Sequence, residues 1–150
     1  VISDYDKGYI NDDDLWHLCN NFNRPVFVDT KKRRLFHKDN VFWKINKKEY
    51  DLLDKDHLPN ASHLIVTLGS AGAMWSGMKF LPQVVKVFDV CGAGDTFMAA
   101  LVYEFLKTKN MQKSIDLANR AAAISVTHPG AYYLNKNDIE SLYGGGNERN

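Results

Sequence analysis

The chain has 150 residues, of which 45% are apolar and 25% charged, and 19 Lys and Arg against 18 Asp and Glu leave a net charge of +1. This composition suits one globular domain with room for a core, and the balanced charge argues against nucleic acid or an anionic membrane as partner. No apolar run reaches the length of a membrane span, no secretory signal is visible, and Cys19 and Cys91 lie outside any metal-ligand spacing, so a reducing, cytoplasmic setting is expected.

Val1 to Ser3 reads as the end of a strand, and a chain that starts there without Met is expected to be a piece of something longer. Asn11 to Phe22 predicts a helix with an acidic first turn and Leu15, Leu18, Cys19 and Phe22 on one face. Val26 to Val28 and Val41 to Ile45 predict buried strands, separated by a basic stretch, Lys31 to Arg34, that reads most simply as a solvated loop. Lys47 to Leu53 predicts a short helix, and His63 to Leu68 a third strand closed by Gly69 and Gly72. Ala73 to Ser76, Lys79 to Leu81 and Val84 to Phe88 read as strands of a meander.

The remainder is helical. Phe97, Leu101 and Phe105, with Met98, Val102 and Leu106, recur at helical spacing. Met111 to Thr127 follows with Ile115, Ala118, Ala122 and Ser125 along one stripe, and Asn137 to Leu142 makes a last short helix. Strands alternating with helices and then a helical end predict an α/β layered domain with a mostly parallel sheet. A tail from Gly144 to Asn150 has nothing to bury and is expected to be disordered.

The segment Asp89-Val90-Cys91-Gly92-Ala93-Gly94-Asp95 stands between an apolar run and a long amphipathic helix. Two glycines and an alanine strip away side-chain bulk where the backbone enters a helix, leaving N–H groups outward with the positive end of the helix dipole behind them, which makes an anion cradle. The Walker lysine and hydroxyl are missing, and Phe97 stands where a dinucleotide fingerprint needs its third glycine. Asp95 beside such amides would repel a phosphate unless it accepts a proton from an attacking hydroxyl. As a helix-capping residue it has an equally good explanation, and taken alone the two stand level. Cys91 at a helix start is either a reactive thiol or a small buried filler.

With these motifs the chain resembles the ribokinase-like, PfkB family of carbohydrate kinases, whose hallmark is an Asp, two variable residues and then Gly-Ala-Gly-Asp. Val66-Thr67-Leu68-Gly69-Ser70-Ala71-Gly72 is similar to the family's Thr-x-Gly-x-x-Gly turn, and Asn46-Lys47-Lys48-Glu49 to its Asn-x-x-Glu motif. Ala118 to Ala131 is similar to the helix and turn that close over the adenine. The resemblance implies a three-layer ribokinase-like fold, of which residues 1–143 would be the C-terminal part, with 144–150 as tail. It implies Asp95 as the base and Gly92, Ala93 and Gly94 as the anion hole for the transferred phosphoryl group. It further implies Thr67, Gly69, Gly72 and Asn119 on the nucleotide, and Asn46 and Glu49, on one face of a short helix, organising water, phosphate and Mg²⁺.

ATP and Mg²⁺ are therefore the expected cofactors. Asp89 matches the family position beside a monovalent cation, K⁺, although Cys91 replaces a common Thr. The expected partner is a small-molecule sugar or sugar phosphate, and a homodimer stays open. Ser3-Asp4-Tyr5-Asp6-Lys7-Gly8 is similar to a segment of heptose-phosphate kinases, which makes a heptose phosphate the leading acceptor, with ribose, fructose and nucleoside-type acceptors left open; Lys31, after Asp29 in a segment similar to the Asp-Pro-Lys of those kinases, is a candidate phosphate contact. The alternative is a non-catalytic nucleotide-binding module or an inactive fragment of such a kinase. The family's sugar-gripping aspartate and its β lid have no counterpart here, and a sheet without its preceding strands is expected to associate through an open edge.

Overall fold

A computed structural model of the chain describes residues 1–144. They fall into two compact units, Val1–Lys79 and Phe80 to the C-terminus. The first unit contains β1 (Ile2–Asp4), α1 (Asp12–Asn20), β2 (Val26–Thr30), β3 (Val41–Asn46), α2 (Lys47–Asp51), β4 (Leu64–Thr67), β5 (Ala73–Trp75) and β6 (Met78–Phe80), whose last residue opens the second unit. The sheet runs in the order β1-β2-β3-β4-β5-β6. Its first four strands are parallel, and β5 lies antiparallel to β4.

The register puts Val28 beside Trp43, Trp43 beside Leu64 and Ile45 beside Val66, so alternate residues of three strands make one continuous apolar face. Leu15 and Cys19 of α1, one turn apart, pack into that face with Leu35 and Leu53. Burial pushes the Cys19 thiol up from its ordinary pKa, only partly opposed by Lys38, so it is an inert core group. On the opposite face Phe27 stacks on Phe42 at 5.1 Å between centroids, and Phe27 and Ile65 are also buried. Burial on both faces is why these strands read as unbroken apolar runs rather than alternating ones. Trp43 is fully buried, donates its indole N–H to the Phe36 carbonyl at 3.0 Å and meets the Phe36 ring edge to face.

Several expectations change in this unit. Leu18 and Phe22 are exposed: Leu15 and Cys19 make the buried line of α1 with Leu18 to its side, and the helix closes at Asn20 with the Asn21 amide on the His17 carbonyl, leaving Phe22 beyond it. Lys31 to Arg34 is not a uniformly solvated loop, because Lys32 is buried among carboxylates. Asn46 and Glu49 do not share a helical face. Asn46 ends β3 and is the N-cap of α2.

The second unit holds α3 (Ala93–Thr108), α4 (Met111–Ser125) and α5 (Lys136–Gly144). α3 and α4 form a helical hairpin turned at Lys109, in the left-handed region, and Asn110, whose side chain caps α4 by accepting from the Lys113 amide. Phe97, Met98 and Leu101 of α3 and Ile115, Ala118 and Ala121 of α4 are buried, while Leu117 and Ala121 pack against Leu142 of α5. The buried stripe of α3 continues through Glu104, whereas Leu106 is exposed. A carboxylate there is tolerated because the Tyr143 hydroxyl donates to it at 2.9 Å. Burial and Glu104 together raise the pKa of that phenol.

The segment expected as a strand at Val84 to Phe88 carries none. Pro82 lacks an N–H, and the Phe88 and Asp89 amides both go to the Val126 carbonyl at the end of α4, at 2.7 and 3.1 Å. With the main chain committed to a helix end, strand-forming side chains have no ladder to join, and Val84 and Phe88 are exposed. Of the expected disordered tail, Gly144 ends α5, and 145–150 lie outside the described residues. Among the described residues no helix is long and apolar enough to cross a membrane. Trp43→Ala is expected to destabilise the protein by about 3–5 kcal/mol in chemical denaturation, as for other large-to-small changes in a packed core.

Candidate active site

The second unit carries the glycine-rich turn. Gly92 caps α3 with φ +74°, in the left-handed region, and offers the helix no side-chain hydrogen bond. A Cβ built on Gly92 would lie 3.3 Å from both Cα and Cβ of Ala131, so this position needs glycine for its dihedral and for its close approach. The first bond into the helix runs from the Thr96 amide to the Gly92 carbonyl at 2.9 Å, and the Ala93 amide donates to Val90 at 3.3 Å. The amides of Gly92, Gly94 and Asp95 have no acceptor among the described residues. They therefore form a patch of free donors at the positive end of a 16-residue helix.

Asp95 is the third residue of α3, exposed, and engages no partner among the described residues. An aspartate that capped this helix would accept from a backbone amide of the first turn, as Asn110 does for α4, and Asp95 does not. Asp95 and Gly92 open onto a cleft of about 520 Å³ that continues past Ala99, Tyr103, Tyr132 and Leu142.

Asp89 organises the turn. Its Oδ1 accepts from the Cys91 amide at 3.0 Å and its Oδ2 from the Gly130 amide at 2.9 Å, so one carboxylate ties the entry of α3 to the turn after α4. Those amides hold its pKa below the ordinary carboxylate range. Cys91 is exposed rather than a buried filler. Asn119 is buried, and its amide donates to the Phe80 carbonyl at 3.1 Å.

In the first unit the carboxyl ends of the parallel strands bring Asn46 and Thr67 side by side. Asn46 and Glu49 form a reciprocal capping box: the Asn46 side chain accepts from the Glu49 amide at 2.9 Å, and Glu49 Oε2 accepts from the Asn46 amide at 2.7 Å. Thr67 donates its hydroxyl to the Ile45 carbonyl at 3.3 Å. Gly69 and Gly72 both have positive φ, and the Leu68 amide closes the turn on the Gly72 carbonyl at 2.7 Å. The site residues thus form two groups, Asn46, Glu49, Thr67, Gly69 and Gly72 in one unit and Asp89, Gly92 to Asp95 and Asn119 in the other.

The residues present bear on both expected cations. Glu49 keeps one carboxylate oxygen free of its cap, enough for Mg²⁺, which commonly relies on one carboxylate together with substrate phosphates and water. Asp89 accepts one amide on each oxygen, which leaves each a further lone pair with which to face a K⁺ ion. Among the described residues no three His, Cys, Asp or Glu side chains gather as a metal site.

Sequence reasoning missed Lys44, which is buried at 6% exposure and pairs with Asp29 across β2 and β3 at 2.6 Å. A single lysine inside the run Val41 to Ile45 was the available signal, since a charge in a buried strand needs a partner.

Two outcomes follow from the turn. Gly92→Ala is expected to cost about 1–2 kcal/mol or more in denaturation, because the left-handed backbone and the Ala131 contact both penalise a Cβ. The carboxylate of Asp89, with its lowered pKa, stabilises the fold fully above about pH 4 and loses that contribution as pH falls through its own lower value. Asp89→Asn should therefore flatten the acid limb of a stability-versus-pH curve and speed hydrogen exchange at the Gly130 amide. An unaltered limb with unaltered exchange would rule out the tie.

A profile described as pfkB family carbohydrate kinase matches residues 40–138. Among curated proteins, the bifunctional protein HldE of a Nitratiruptor species is 33% identical, covering 93% of this chain and 34% of the relative. HldE of Sulfurimonas denitrificans is 30% identical with the same coverage, so the chain spans about a third of the length of the relatives it matches. Thermotoga maritima ribokinase superposes with a TM-score of 0.71 at 23% identity, over 95% of this chain and 56% of the ribokinase. Escherichia coli phosphofructokinase-2, solved with substrates and products, gives 0.69 at 17% identity over 95% and 54%. At those identities the structures establish the ribokinase-type α/β fold, and the profile and the HldE relatives establish kinship: the chain belongs to the pfkB family of carbohydrate kinases.

Proposed function

We propose that residues 1–143 are the C-terminal, nucleotide-side part of an ATP-dependent sugar kinase domain and that Asp95 is its catalytic base. The observation that carries this reading is the unengaged Asp95 carboxylate one turn into α3, beside amides that have no acceptor among the described residues. Family membership supplies the reaction class.

In the reaction, an acceptor hydroxyl gives its proton to a carboxylate oxygen of Asp95 as the hydroxyl oxygen forms a bond to the γ-phosphorus and the bond from that phosphorus to the ADP oxygen breaks. Charge on the transferring group falls on the free amides of Gly92 and Gly94, with the dipole of α3 behind them, and these donors stand ready before the reaction and need no reorientation. Thr67, Gly69 and Gly72 approach the nucleotide with little side-chain bulk. Buried Asn119, tied to Phe80, shapes the adenine side as a fixed wall. Glu49, held by its capping box, is the residue to hold Mg²⁺ through water, and the ion when bound supplies charge neutralisation between the phosphates. Resemblance of Ser3 to Gly8 to heptose-phosphate kinases favours a heptose phosphate as acceptor, with exposed Lys31 a contact for its phosphate.

The test is ADP release across a panel of sugars and sugar phosphates, with nucleotide binding followed separately. Asp95→Asn is expected to bind nucleotide like the parent and to lose about 10²–10⁴-fold in turnover. Transfer at the parent rate would exclude Asp95 as the base. Nucleotide binding without transfer to any acceptor would favour a non-catalytic binding module.

A further inference from the structure

Lys32 has no place in that scheme, yet it is a buried cation with three carboxylates around it. Its residue is 8% exposed, and its Nζ lies 3.0 Å from Asp12, 3.4 Å from Asp6 and 3.8 Å from Asp4. Asp4 is itself buried, with a bond on each oxygen: Oδ1 accepts from the Asp6 amide at 3.0 Å, and Oδ2 from the Thr30 hydroxyl at 3.2 Å. The same hydroxyl accepts from the Lys32 amide at 3.1 Å. Desolvation alone would lower the Lys32 pKa, but the hydrogen bonds and charges of Asp12, Asp6 and Asp4 outweigh it and raise the pKa, so the ammonium stays charged.

The segment that these bonds enclose is strained. Asp6 has φ +53° and Gly8 φ +85°, and residues 5–11 form no helix or strand. A non-glycine residue in the left-handed region persists where its surroundings over-determine it, and such positions cluster at functional sites. Here the surroundings are Asp4 on its amide and Lys32 on its carboxylate.

The placement gives the segment a use. Asp4, Thr30, Asn46 and Thr67 end β1, β2, β3 and β4, so all four stand on the edge of the sheet outside which open α/β folds bind ligands. At about 4.8 Å per strand, β1 stands roughly 14 Å from β4. If the nucleotide lies over β3 and β4, where Asn46 and Thr67 sit, the segment after β1 stands at the far end of the same ligand-binding edge of the sheet.

We propose that Lys32 is a positioning residue for the acceptor: by pinning Asp4, Asp6 and Asp12 it holds residues 5–11 as the acceptor-side wall at the carboxyl ends of β1 and β2. This rests on the sugar-kinase reading for the identity of the ligand, and on the geometry alone for the pinning. Without the ammonium, the Asp4 carboxylate is left buried without a cation, and Asp6 and Asp12 repel it.

The experiment compares the full chain with Lys32→Met, Lys32→Arg and the milder Asp12→Asn, which removes the shortest ion pair at an exposed carboxylate. One readout is trypsin nicking after Lys7 under native conditions, and the other is the separate KM for acceptor and for ATP. Lys32→Met is expected to be nicked after Lys7 about tenfold faster, with cleavage in residues 80–144 unchanged, and to raise the acceptor KM by about tenfold with the ATP KM within about twofold. Lys32→Arg should restore both, and Asp12→Asn should move both part of the way. Nicking at the parent rate in Lys32→Met and Asp12→Asn overturns the pinning. Faster nicking with both KM values rising together makes Lys32 structural only and overturns the acceptor role. If Lys32→Met does not fold, Asp12→Asn decides by the same two readouts. If the parent itself transfers phosphate to no acceptor, the kinase reading falls and the acceptor role with it, while nicking still decides whether Lys32 holds the segment.

Discussion

One carboxylate, that of Asp89, sets the geometry on which the second unit's chemistry depends. By accepting from Cys91 and Gly130 together it fixes the entry of α3 against the turn that follows α4. Gly92 can then turn through the left-handed region within contact distance of Ala131. A helix that starts this way begins without a side-chain cap, so the Gly94 and Asp95 amides of its first turn have no acceptor among the described residues. The stability a capping side chain would have added, about 1 kcal/mol in ordinary helices, is absent here. The other four α-helices of the described residues show the contrast, since Asn11, Asn46, Asn110 and Asn135 each accept from first-turn amides through their own side chains.

The first unit organises its edge differently. Parallel strands deliver Asp4, Thr30, Asn46 and Thr67 to one side of the sheet, and each makes polar bonds there. The core face from Val26 to Val66 determines register, because a slip by one residue would bring Lys44 and Asp29 into it. The pair of buried Lys44 with half-buried Asp29 on the opposite face reinforces the same register at adjacent positions of β2 and β3. Breaking such a pair by removing one partner leaves a buried charge, so it disfavours misregistered pairing more than it adds net stability.

The outline of both units was legible in the sequence because it rests on local chemistry. Apolar runs marked β2, β3 and β4, helical spacing marked α3 and α4, and the glycines at 69, 72 and 92 marked turns that need positive φ. Where the reading went astray, a distant partner made the decision. Val84 to Phe88 has every local mark of a strand, yet its end is captured by the Val126 carbonyl, nearly forty positions away. Asn46 and Glu49 looked like a helical pair, but the point at which β3 gives way to α2 turned Asn46 into the cap.

Residue types and spacing by themselves determined the motifs, the family they resemble and the α/β alternation, since composition and periodicity act over a few residues. Tertiary structure alone decided which polar groups are free. Asp95 is left unengaged while Asp89, six residues earlier, accepts an amide on each oxygen, and Lys32 is enclosed by three carboxylates while its neighbour Lys31 is exposed. The physical reason is that a hydrogen bond or ion pair between distant residues depends on where the folded main chain carries them, and no local pattern in the sequence records that.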